Sequence, residues 1–104
     1  MALFVTRHQH PGERCPARDP QMGQMLLAHL SPESASGHGI TIKAEAVVND
    51  AHTLYMIVDA DSKERVDSFM TPFAQAGTVE VLAASPCEAV IGRGGCTTAA
   101  VSAS

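Results

Sequence analysis

The chain has 104 residues, enough for one hydrophobic core without disulfide staples, and its 45% apolar content excludes intrinsic disorder. A net charge of −4, seven Lys and Arg in all, and no Trp provide neither a basic stripe nor a stacking platform, so nucleic acid is not an expected partner. No apolar run reaches the roughly 20 residues of a membrane span, and the start MALFVTRHQH turns polar too soon for a secretory leader, so the expectation is a cytoplasmic protein with no membrane partner. Residues 2–10, ALFVTRHQH, read as a strand with Phe4, Thr6, His8 and His10 on one face and Leu3, Val5, Arg7 and Gln9 on the other. Pro11-Gly12 ends it.

Asp19-Pro20 is a helix start, an N-cap followed by a first-turn proline. Met22, Met25, Leu26, His29 and Leu30 then recur at helical spacing, so the helix covers about 20–31, with Met22 and Met25 as core filler. The segment from Ser31-Pro32 to Gly39 reads as loop. Residues 40–48 alternate, placing Ile40, Ile42, Ala44, Ala46 and Val48 on one face; after a turn at Asn49-Asp50, residues 52–59 are apolar on both faces. Together these read as a hairpin. Asp61-Ser62-Lys63-Glu64 has the form of a capping box. Val66, Phe69, Met70, Phe73 and Ala74 continue as a helical stripe, which Pro72 should kink or restart with Thr71 as a cap, and Gly77 closes it. Residues 78–84 are a last strand.

The order is β-α-β-β-α-β, the ferredoxin-like split βαβ pattern of an α+β fold with a four-stranded antiparallel-type sheet. The expected domain is 1–91, followed by a Gly/Ala/Ser-rich tail over 92–104. Helices in this topology cover one sheet face, yet the third strand is apolar on both. The second face therefore calls for a cover, and a sheet-to-sheet homodimer is the expectation.

The pattern resembles the dimeric α/β-barrel superfamily, and in particular small bacterial members with a histidine late in the first strand, then an acidic or amide residue and Cys-Pro. Here those positions are His8, His10, Glu13 and Cys15-Pro16. The resemblance implies a dimeric barrel over about residues 2–91 but not a reaction, because the fold hosts unrelated chemistries.

The stretch HQHPGERCP concentrates the chemistry. His8 and His10, two apart on one strand face, have Cα atoms about 6.5–7 Å apart, and their imidazoles can converge on one ion. Cys15 follows a Pro-Gly turn that can fold back. Imidazole with thiolate suits zinc, copper, nickel or iron, so His8, His10 and Cys15 are the expected metal ligands. Glu13 is a candidate ligand, ligand-supporting group or base. His29 lies on an apolar stripe, where a satisfied core histidine is the commoner outcome. His38 is expected to be solvated. Pairing the first and third strands in parallel sets His52 at the end of the sheet remote from His8 and His10. The last strand, antiparallel to the first, sends Cys87 to that remote end too. Cys15, Cys87 and Cys96 are odd in number and form no CxxC, which argues against a disulfide framework.

The leading function is metal handling or redox chemistry at a metal. The alternatives are a metal-free monooxygenase- or isomerase-like enzyme with a small-molecule ligand, using His8, His10 or His29 for proton transfer, and a reactive Cys15 thiolate in sulfur or peroxide chemistry. Catalytic candidates are Cys15, Glu13 and His29.

Overall fold

A computed structural model describes residues 2–15 and 18–96. Four strands form one antiparallel sheet in the order β2-β3-β1-β4, with β1 Ala2–Gln9, β2 Ile40–Val48, β3 Thr53–Ala60 and β4 Thr78–Ala84. The helices are α1 Pro20–His29, α2 Pro32–Gly37, α3 Lys63–Phe69, α4 Thr71–Ala76 and α5 Cys87–Arg93. This is an α+β layout in the ferredoxin-like order. Among the described residues no helix is long and apolar enough to cross a membrane.

A proline stands in the first turn of α1, α2 and α4, where its missing N–H leaves no helical hydrogen bond unmade. Asp19 caps α1 by accepting from the backbone N–H groups of Gln21 and Met22. The stretch read as loop after Ser31 is helix α2: Ser31 Oγ accepts from the Ser34 N–H, and Pro32 occupies the first turn, where its missing N–H costs nothing. Ser62, rather than Asp61, caps α3 by accepting from the Arg65 N–H. Pro72 restarts the helix as α4, but Met70 holds the cap position that Thr71 was expected to fill. Helix α5 closes on Gly94 in the left-handed region (φ 84°). The Arg93 guanidinium donates to Ser85 Oγ and to the carbonyls of Gly95 and Cys96, so described structure continues through Cys96. The rest of the expected tail, 97–104, lies outside the described residues.

The core fills the space between one sheet face and α2–α4. Phe4 and Thr6 of β1 meet Met56 and Val58 of β3 across the register, beneath Val66, Phe69 and Phe73. Thr6 is fully buried, and its hydroxyl has no hydrogen-bond partner among the described residues. On the other sheet face, Tyr55, Ile57 and Leu82 are exposed among the described residues. There Arg7 bridges the strands, donating to the Tyr55 hydroxyl on β3 and to Glu80 on β4.

Two sequence expectations are overturned by the sheet. First, β1 and β3 run antiparallel, with His8 opposite Leu54 and Gln9 opposite Thr53. The crossover makes β2 parallel to β1, and the hairpin then reverses β3. The start of β3 therefore lies at the end of β1, and His52 lies beside His10 rather than remote from it. Second, the alternation in β2 is broken by a bulge between Ile42 and Ala44. Ile42 pairs with Val58 on the helix side, but beyond the bulge Ala44 and Ala46 pair with Ile57 and Tyr55 on the open face. Glu45 and Val47, opposite Met56 and Leu54, turn to the helix side. Ala44 and Ala46 thus do not share a face with Ile40 and Ile42.

Candidate metal centre

The end of β1, the single turn after it and the β2–β3 turn converge. The His10 N–H donates to the His52 carbonyl (3.2 Å), extending the β1–β3 ladder by one pair past Gln9 and Thr53. The short helical turn Gly12–Arg14 then folds the chain back, with the Cys15 N–H donating to the Gly12 carbonyl (3.3 Å). Gly12 packs against the His52 ring: a Cβ added at Gly12 would lie 3.1 Å from His52 Nε2. Asp50 and His52 hold left-handed backbone conformations, φ 65° and 49°. Such φ values are uncommon outside glycine and cluster at functional sites. Gly77 leads α4 into β4 directly over the end of β1, where a Cβ would collide with the Gln9 carbonyl oxygen and lie 2.8 Å from His10 Cα.

These constraints bring ligand atoms of His10, Cys15 and His52 within 4.8 Å of one another, each residue half-buried. Two ligands of one zinc ion, at about 2.0–2.3 Å from it, lie closer than that; side-chain rotation of about an ångström closes the difference. A His-Cys-His group is therefore close enough to hold a metal ion. Both ring nitrogens of His10 are out of reach of solvent and have no hydrogen-bond partner among the described residues. The His10 ring meets those of His8 and His52 edge-on or tilted, with centroids 5.3 and 5.2 Å away. Burial, and then the neighbouring His52, push its pKa below the usual imidazole value. Both causes favour the neutral ring, the form that binds a metal.

The three expected ligands are not the three brought together. His8 is buried, and its Nδ1–H donates to the Thr78 carbonyl (3.1 Å) at the start of β4, while its ring packs edge-on against Phe73. Burial is also the main cause lowering its pKa, opposed by the Thr78 bond and reinforced by His10. His52 occupies the place the sequence reading assigned to His8. The signal for it was present in the crossover-plus-hairpin order, which makes β3 antiparallel to β1. Glu13 is exposed on its turn, outside the group. His29 Nε2–H donates to the Phe69 carbonyl (2.8 Å) and its ring stacks on Phe69, a satisfied histidine at the edge of the core. His38 is exposed, as expected, and its Nδ1–H also donates to the Ser34 carbonyl. Cys87 and Cys96 are free and exposed; Cys87 follows the end of β4 that pairs with the start of β1, remote from the group as expected.

The group forms one end of a cavity of about 630 Å³. Helix α1 supplies one wall, Glu45, Val47 and Val48 of β2 another, and Leu54 and Phe73 also line it. The helical stripe of α1 is real, yet no residue of α1 is fully buried: Met22 and Met25, expected as core filler, are 52% and 66% exposed and border this cavity. Comparison of the chain with protein-family models, curated proteins and solved structures finds no match.

Proposed function

We propose that this chain binds one transition-metal ion through His10, Cys15 and His52, and that it acts in metal handling or in redox chemistry at that ion. The observation that carries the reading is the state of His10. A neutral imidazole presents a donor and an acceptor, and hiding both from water without partners is costly. A metal ion shared with Cys15 and His52 would satisfy one nitrogen and account for the burial of the ring. Two imidazoles and a thiolate select zinc, copper, nickel or iron over magnesium or calcium. Three protein ligands leave a fourth position for water or substrate, the arrangement of catalytic rather than structural sites. Three free cysteines fit a reducing, cytoplasmic setting. A homodimer through the sheet face of Tyr55, Ile57 and Leu82 belongs to the same reading, supported by the exposure of these residues. Sedimentation of the Ile57→Lys variant tests it: a monomer is the expected result.

The decisive experiment is elemental mass spectrometry on protein purified without a histidine tag, beside His10→Ala, Cys15→Ser, His52→Ala and His8→Ala. The expected result is about one ion per chain, retained in His8→Ala and lost in the other three. Absence of metal after soaking with zinc, nickel, copper and iron under reducing conditions would overturn the proposal.

A further inference from the structure

We infer that the cavity beside the His10–Cys15–His52 group is a binding site for an uncharged, largely apolar small molecule, which enters along α1 and points its polar end at that group. The orientation rests on the metal reading above; occupation of the cavity does not.

Three observations carry it. The first is the half-used apolar face of α1. Met22, Met25, Leu26 and Leu30 recur at core spacing; Leu26 and Leu30 pack half-buried against the core, while Met22 and Met25 stay more than half exposed. An amphipathic helix ordinarily closes its whole stripe against the sheet; this one closes only part of it and leaves Met22 and Met25 open to the cavity. The second is the opposite wall. The bulge between Ile42 and Ala44 turns Val47 toward α1, and Val47 and Val48 are 58% and 46% exposed at the cavity. Apolar side chains on two facing elements, drawn from separate parts of the chain, thus line one space. Its volume of about 630 Å³ is that of a small-molecule pocket. The third is polarity. His8, His10, Cys15 and His52 form one polar cluster in the lining, His29, Asn49 and Gln75 are its other uncharged polar residues, and the charged side chains among the described lining residues are the carboxylates Glu45 and Asp50. An apolar body with one lone-pair donor at its tip, such as an alcohol, matches this distribution; a carboxylate meets like charge at the rim.

The test uses the full chain, metal-free in chelator and separately zinc-loaded. The neutral fluorophore N-phenyl-1-naphthylamine serves as the probe, with 1-octanol and octanoate as competitors. The expected result is saturable binding at one site in both forms, displacement by octanol well before octanoate, and binding weakened roughly tenfold or more when a charge enters the apolar wall. That charge is introduced as Met25→Glu on α1 and separately as Val47→Glu on β2. Both positions are already exposed, and zinc binding should be unchanged in either variant. His10→Ala should lose zinc and keep the probe. No saturable binding, binding by both wall variants as tight as by wild type, or preference for octanoate overturns the inference. So does concentration-dependent self-association that is lost in Met25→Glu, because the wall would then be covered by a second copy. A wild-type protein that binds the probe but no metal refutes the metal reading alone and leaves the cavity site standing.

Discussion

Replacing His10 with phenylalanine should stabilise the metal-free protein and destabilise the metal-loaded one relative to wild type. In the free chain the His10 ring hides two nitrogens from water, with no partner for either among the described residues. An unpartnered buried polar group costs about 1–3 kcal/mol. Phenylalanine keeps a ring between those of His8 and His52, about 5.3 and 5.2 Å from their centres, and removes both nitrogens. The expected gain is about 1–2 kcal/mol, which at this chain length raises Tm by about 4–8 °C for each kcal/mol. Zinc at a hundred times its Kd adds about 2.7 kcal/mol to a chain that binds it and nothing to one that does not, so the order of the two proteins reverses. Thermal denaturation followed by circular dichroism, in chelator and then in excess zinc with a reductant, reads both signs. A variant less stable than wild type in chelator would refute the reasoning, because the His10 nitrogens would then be satisfied in solution. Equal zinc shifts in the two proteins would show that His10 is no ligand.

Gly77→Ala should cost about 1–3 kcal/mol and weaken zinc binding, because the added Cβ meets the backbone of Gln9 and His10 rather than a side chain that can move aside; an unchanged Tm would mean that α4 does not cross the end of β1 so closely. Thr6→Val removes a fully buried hydroxyl without a partner among the described residues while keeping the side-chain shape, so stability should hold or rise by about 1 kcal/mol; a clear loss in chemical denaturation would reveal a partner for that hydroxyl. In chelator, stability should fall as pH drops below the ordinary imidazole value of 6.5, since burial lowers the pKa of His8 and His10 in the folded chain. The unfolded chain then binds more protons than the folded one, and stability rises with pH through that window. His8→Gln should flatten the urea-denaturation slope measured across it, and an unchanged slope would sink the assignment.

Local pattern determined a good deal of this protein. Alternation marked β1, the helical stripe of Val66, Phe69 and Phe73 marked α3 and α4, and Pro72 announced the restart between them, because steric limits on proline and side-chain periodicity act within a few residues. The β-α-β-β-α-β order was legible for the same reason, but the antiparallel pairing of β1 with β3 was not, because the sequence reading set those strands parallel. The concentration of His10 and Cys15 beside a Pro-Gly turn was legible too.

The partner that completes the group was not read from that stretch, since His52 is 42 positions further along and reaches His10 only through the antiparallel register of β3 on β1. Nor does composition reveal the bulge that turns Glu45 and Val47 to the helix side, because a one-residue slip in a strand leaves its residue types unchanged and exchanges its faces. The stripe of Met22, Met25, Leu26 and Leu30 specified an apolar helix face, but periodicity is silent on whether such a face meets a sheet or a cavity. That distinction depends on how far α1 stands from β2, a distance set by the packing of the whole domain.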